Sequence, residues 1–212
     1  MCENCGKISA ELATLSVENH RMADLTVIDP DGDVIITVGK NGFQVSSKVL
    51  GLASPVFKAL FGPNFAKGQF VIDNARLIEL HDDDPEALDI MCCLLHHEPA
   101  PPSPFGIERL EKMAIIVDKY DCVRAMHYWA KLEIMAVRQS TKEPCRLLWP
   151  AYVFEEAQFF NKLTKFLVLH LPTLEQMDSA SQKYKLSEEI ESHLPDGMMG
   201  KYQAFHKKVS VD

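Results

Sequence analysis

Cys2 and Cys5 stand at the C-x-x-C spacing of half a metal clasp. A structural zinc site takes four ligands, commonly two such pairs, and no second pair follows within zinc-finger distance. The run His81-Asp82-Asp83-Asp84 sets three carboxylates beside an imidazole, which is the chemistry of a cation site. Pro85-Glu86 follows it, however, and Asp84 as N-cap with Pro85 at the first helical position is a helix start, where negative charge is favoured by the exposed N–H groups. His96 and His97 then fall near the C-terminal end of that helix, where a cation meets unpaired carbonyls. Enzyme signatures are absent: Gly62 and Gly68 are wrongly spaced for a phosphate loop, and there is no G-x-G-x-x-G, G-x-S-x-G or H-E-x-x-H. Scattered Ser, His and Asp prove nothing, because a triad is defined by geometry. The sequence therefore predicts no catalytic residue, no cofactor and no metal, and a metal-binding protein or metalloenzyme stands as the rival from another class.

Composition narrows the partners. With 212 residues, 47% hydrophobic and 25% charged, the chain is long enough for one domain of about 120 residues and a substantial extension. A formal charge of −8 argues against sequence-independent binding to nucleic acid or to an anionic membrane, both of which need many Lys and Arg at a polyanion. The opening MCENCGKISAEL lacks an apolar signal core, and runs such as Ile90 to Leu95 fall far short of the roughly 20 residues that span a bilayer. An intracellular protein of cytoplasm or nucleus is expected. The cysteines (Cys2, Cys5, Cys92, Cys93, Cys122 and Cys145) fit that setting, since most sit in predicted helices and adjacent Cys92-Cys93 is a poor disulfide framework.

The elements that would position any binding surface centre on Asp24 to Phe61. Leu25 to Ile28 and Val34 to Val38 are strand-length apolar runs, and Asp29-Pro30-Asp31-Gly32-Asp33 between them favours a turn, so a β-hairpin is predicted. Gly39-Lys40-Asn41-Gly42 is a second turn signal before the extended Phe43-Gln44-Val45. Ser46 or Ser47 can cap a short helix presenting Val49, Leu50 and Leu52. Ser54-Pro55 starts another, with Val56, Phe57, Leu60 and Phe61 as its buried face.

Asp24-Leu25 opening a strand, then Phe43-x-Val45, Val49-Leu50 and Ser54-Pro55-Val56-Phe57 with Leu60-Phe61 behind, resembles the core of a BTB/POZ domain, specifically the short BTB proteins of filamentous fungi. Ala114 to Cys122, AIIVDKYDC, is similar to the same family. The resemblance covers about residues 22–138 and implies an α+β fold, a helix cluster capped by a small sheet, with a non-catalytic function: homodimerisation and recruitment of another protein. It also implies that a helix before the first strand packs across the partner subunit. Ile8, Leu12 and Leu15 have helical spacing there, so these three with Asp24 and Leu25 are the expected dimer interface. Some members bind corepressors with an Asp beginning the first strand and a basic residue after Phe-x-Val-His. Asp24 matches the acid, but Ser46-Ser47 replaces the His-Lys pair.

Members that serve as substrate adaptors of a cullin-type ubiquitin ligase commonly carry a hydrophobic-x-Glu element after the second helix. Here Phe65-Ala66-Lys67 takes that place, the expected partner-contact loop, with a base for the acid. A reversed charge opposes a complementary group across an interface, which disfavours the cullin contact. Phe70 to Ile72 and Leu77 to Leu80 are short strand candidates. Helices are predicted from Pro85 to about His97, with Leu88, Met91, Cys92 and Leu95 on one face; over Ile107 to Tyr120, with Leu110, Met113, Ala114 and Val117 inward; and over Val123 to Arg138. Residues 139–212 read as an α-helical C-terminal region. It holds a helix pair over Arg146 to Phe154 and Glu156 to His170, weaker helices over Leu174 to Lys185 and Ser187 to Leu194, and a last stripe at Met198, Met199, Tyr202, Phe205 and Val209. Residues 1–21 form an N-terminal segment.

Overall fold

A computed structural model describes residues 24–62, 71–72, 75–100, 103, 105–141 and 144–170. Ile8, Leu12 and Leu15, the loop Phe65-Ala66-Lys67, Cys2 and Cys5, and the helices expected beyond His170 lie outside the described residues. The chain divides into two compact units, Met1–Pro99 and Ala100–Asp212. The boundary falls beside the Pro-rich stretch 99–104.

In the first unit the strands are β1 (Asp24–Val27), β2 (Val34–Val38), β3 (Asn41–Val45), β4 (Val71–Ile72) and β5 (Ala75–Leu80), with helices α1 (Ser47–Ala53), α2 (Pro55–Leu60) and α3 (Pro85–Leu95). The mixed sheet has the order β1-β3-β2-β5-β4. Every residue of central β2 is buried, and α1 packs on α2 and α3. With helices segregated from a sheet that is not a simple βαβ series, this is an α+β fold.

The expected hairpin is corrected. Asp29 to Asp33 does reverse the chain, yet β1 and β2 do not pair: β3 lies between them, antiparallel to β2 and parallel to β1, with Asp24 opposite Asn41 and Val27 opposite Gln44. Two strand spacings are roughly 10 Å, within the reach of the five-residue turn. Gln44 holds that turn open. Its carbonyl accepts from the backbone N–H groups of Ile28 and Asp29, and its side-chain amide donates to the carbonyls of Pro30 and Gly32. At Gly32 an added Cβ would lie 2.7 Å from the Val45 carbonyl oxygen, so the close approach itself requires glycine. The hairpin proper joins β2 to β3 through Gly39-Lys40, with Gly39 at φ +59°.

The helix starts divide in the same way. Ser54 caps α2 as expected, accepting from the Phe57 N–H at 2.9 Å, and Asp84 caps α3 by accepting from Ala87. Ser46 occupies the N-cap position of α1 but makes no side-chain cap bond. Asp33, just before β2, supplies it, accepting both the backbone N–H and the hydroxyl of Ser47 at 2.7 Å. The buried faces of α1 and α2 are narrower than expected: Leu50 and Phe57 are fully buried, whereas Leu52 is 89% exposed and Val56 lies outward. Residues 50 and 52 are about 200° apart around a helix, so they cannot share a face.

The second unit contains α4 (Ile107–Lys119), α5 (Val123–Ser140), a 3-10 turn (Pro144–Leu147), α6 (Leu148–Val153) and α7 (Ala157–His170). Leu110, Met113, Ala114 and Val117 are buried on α4 as their spacing predicts. Asp121 at φ 51° ends α4, with the Cys122 N–H reaching back to the Val117 carbonyl, and Glu155 at φ 56° turns the chain between α6 and α7. Two polar ties fix the layers. Arg146 donates to both carboxylate oxygens of buried Glu111 and, at 2.9 Å, to Glu108. His127 on α5 donates from Nδ1 to the Phe154 carbonyl at 3.1 Å and sets Nε2 3.5 Å from Glu156. No helix of the described residues is long and apolar enough to cross a membrane.

Candidate interaction surface

A strand at the end of a sheet leaves one row of backbone N–H and C=O groups unpaired, and among the described residues β1 is such a strand. Its four residues are all exposed. Alternation along a strand places Leu25 and Val27 on one face, and each is about half exposed. Leu52 and Val56, on either side of the Ser54-Pro55 break, are the other large apolar side chains of the first unit that face outward among the described residues. These four carry apolar surface that the unit's own core does not take up.

Of the residues expected at an interface, Asp24 and Leu25 fall on this edge strand, while Ile8, Leu12, Leu15, Phe65, Ala66 and Lys67 lie outside the described residues. Val27, Leu52 and Val56 were missed. Val27 was legible as the period-2 partner of Leu25, and Leu52 as the residue off the Leu50 face.

Electrostatics behind α1 concern Asp33. Burial pushes its carboxyl upward, but the Ser47 N–H and hydroxyl, its own backbone N–H and the Arg76 guanidinium outweigh that and hold it below the usual carboxylate range. Arg76 on β5 lies 3.6 Å from this carboxylate and also donates to the Phe61 carbonyl at 2.8 Å, so one acid joins β2, α1 and β5. Ser47, in the place where a basic residue was expected, is thus committed to a structural bond. His96 is committed too. Its Nδ1 donates to the Cys92 carbonyl, as the helix-end position predicts, while its Nε2 accepts the Ser46 N–H at 3.0 Å, tying α3 to the start of α1.

Among the described residues no three His, Cys, Asp or Glu are grouped to hold a metal ion. Cys92, Cys93 and Cys122 are not joined in disulfides. Burial first, and then nearby Asp89, push the Cys93 thiol up to about 11, so it keeps its proton near neutrality.

Compared with known families, residues 31–133 match the model of the BTB/POZ domain. The match begins after β1, so Asp24 and Leu25 precede it, and the acid before the first strand inside it is Asp33. It ends within α5 and so includes residues of both compact units. No curated protein matches the chain.

Proposed function

We propose that residues 31–133, which match the BTB/POZ domain, act as a protein-interaction module: the protein homodimerises through its first unit and thereby presents a second surface that recruits another protein. The exposed edge strand carries this reading. Leu25 and Val27 on β1, with Leu52 and Val56, offer apolar surface whose burial against a second copy would contribute, at about 1.5–3 kcal/mol for a fully buried Leu or Val, several kcal/mol towards association. Ile8, Leu12 and Leu15 extend the proposed interface, because an isolated helix of that length needs a surface to pack on.

Light scattering on the full chain after size exclusion tests it. A particle of twice 23.9 kDa that falls to 23.9 kDa in the L25K/V27K variant supports the assignment. A wild-type particle of 23.9 kDa at all concentrations, or a doubled mass unchanged by the variant, overturns it. Removing residues 1–17 should lower the mass in the same way if Ile8, Leu12 and Leu15 contribute.

A further inference from the structure

The second unit has an apolar stripe of its own. On α5, Tyr128 is 80% exposed, Leu132 69% and Met135 53%, at the i, i+4, i+7 spacing of one helix face. Taking about 100° per residue, these three occupy a strip about 60° wide, and Arg124, Lys131 and Arg138 run along one side of it. The exposed positions of α5 include no acid, because its single carboxylate, Glu133, is buried and accepts the Phe105 N–H. A chain of net charge −8 has therefore set three cations of α5 beside this stripe. Two of the three cations are held in position, Lys131 at 3.6 Å from Glu156 and Arg138 over the Phe159 ring.

What fits such a face is an amphipathic helix with apolar residues at matching intervals and carboxylates at its margin. The chain contains one. In LSEEIESHL, Leu186, Ile190 and Leu194 recur at i, i+4 and i+8. As a helix, Glu189 would lie about 60° to one side of that row and Glu191 about 60° to the other, so either orientation turns one glutamate towards the basic border. The other strong stripe of the same region, Met198 to Val209, carries Lys201, Lys207 and Lys208 and would be repelled. Reach is no obstacle: residues 171–185 can extend about 50 Å, and the 18-residue α5 is about 27 Å long. We propose that Leu186–Leu194 docks as an acidic amphipathic helix on the Tyr128-Leu132-Met135 face of α5. The occupant is the chain's own segment, which covers this face and keeps it from other acidic helices.

Hydrogen exchange read by mass spectrometry on the full chain decides it. In the wild type, residues 186–194 should exchange about tenfold or more slowly than the same residues in a free synthetic peptide. Leu132→Glu, a change at a solvent-facing position, should raise them to the peptide rate while α4 keeps its protection, which shows that the unit is folded. E189K/E191K should do the same, and adding R124E to it should restore part of the protection. Exchange of the wild-type segment at the free-peptide rate, or protection that Leu132→Glu leaves unchanged, overturns the proposal. A full-length particle whose mass halves in Leu132→Glu also overturns it, in favour of a second copy on this face.

Discussion

Asp33 shows how much one side chain can organise. As a depressed carboxylate its contribution is present in full above the unfolded value near 3.8 and fades as the pH falls below that, through its lowered folded value. Asp33→Asn should therefore cost about 1 kcal/mol at neutral pH, typical of a lost cap, and the gap from wild type should close towards pH 3. Urea titrations at several pH values check this; a constant gap would mean that charge plays no part. Thr37 is the opposite case. It is buried on β2, and its hydroxyl has no hydrogen-bond partner among the described residues. Thr37→Val should leave stability unchanged or raise it by up to about 1 kcal/mol, read from the same titrations. The local signals of Ser54-Pro55 and Asp84-Pro85 could be read from sequence because each cap and its helix are adjacent. The Asp33 cap could not, because its partner Ser47 is brought to it only by the sheet.

At the level of elements, the bounds of α3, α4 and α5 were foreseen closely, and the inward residues expected on α4 are all buried. Periodicity misjudged α1 and α2, where Leu52 and Val56 were expected to be buried, although the 200° between Leu50 and Leu52 already sets them on opposite faces. Strand identity was legible, whereas strand order was not: a reversal at Asp29 to Asp33 suits two paired strands and equally two strands with a third between them. The outward face of β1 and the stripe on α5 follow from packing, so composition gave no sign of either. The 3-10 turn before α6 is anchored by Arg146. Arg146→Ala leaves the Glu111 carboxylate buried without that partner and should cost roughly 3 kcal/mol, whereas Glu108→Ala, at a largely exposed carboxylate, should cost about 0.5 kcal/mol or less. Thermal unfolding of both variants checks the ranking, and equal losses would show that the buried half of the fork is not the dominant one.

For the whole molecule, a dilution series tests association directly. The proposed dimer should hold a mass of twice 23.9 kDa over at least a tenfold dilution, and a steadily falling mass would point to an interface too small for the apolar surface assigned to it. The sheet also sets an order of events in time. Parallel pairing places Val34 beside Arg76 and Val38 beside Leu80, so the central seam joins segments far apart along the chain. Closing a long loop loses entropy before any contact compensates for it, and folds rich in distant pairings form slowly. Leu77→Ala at the β2–β5 seam should thus slow refolding in stopped-flow experiments, and Leu163→Ala on α7 should chiefly speed unfolding. Until residue 80 has been synthesised, β2 has no partner on its β5 side, so a nascent chain shorter than that carries a five-residue apolar strand with one open edge, the kind of edge that invites pairing with another chain.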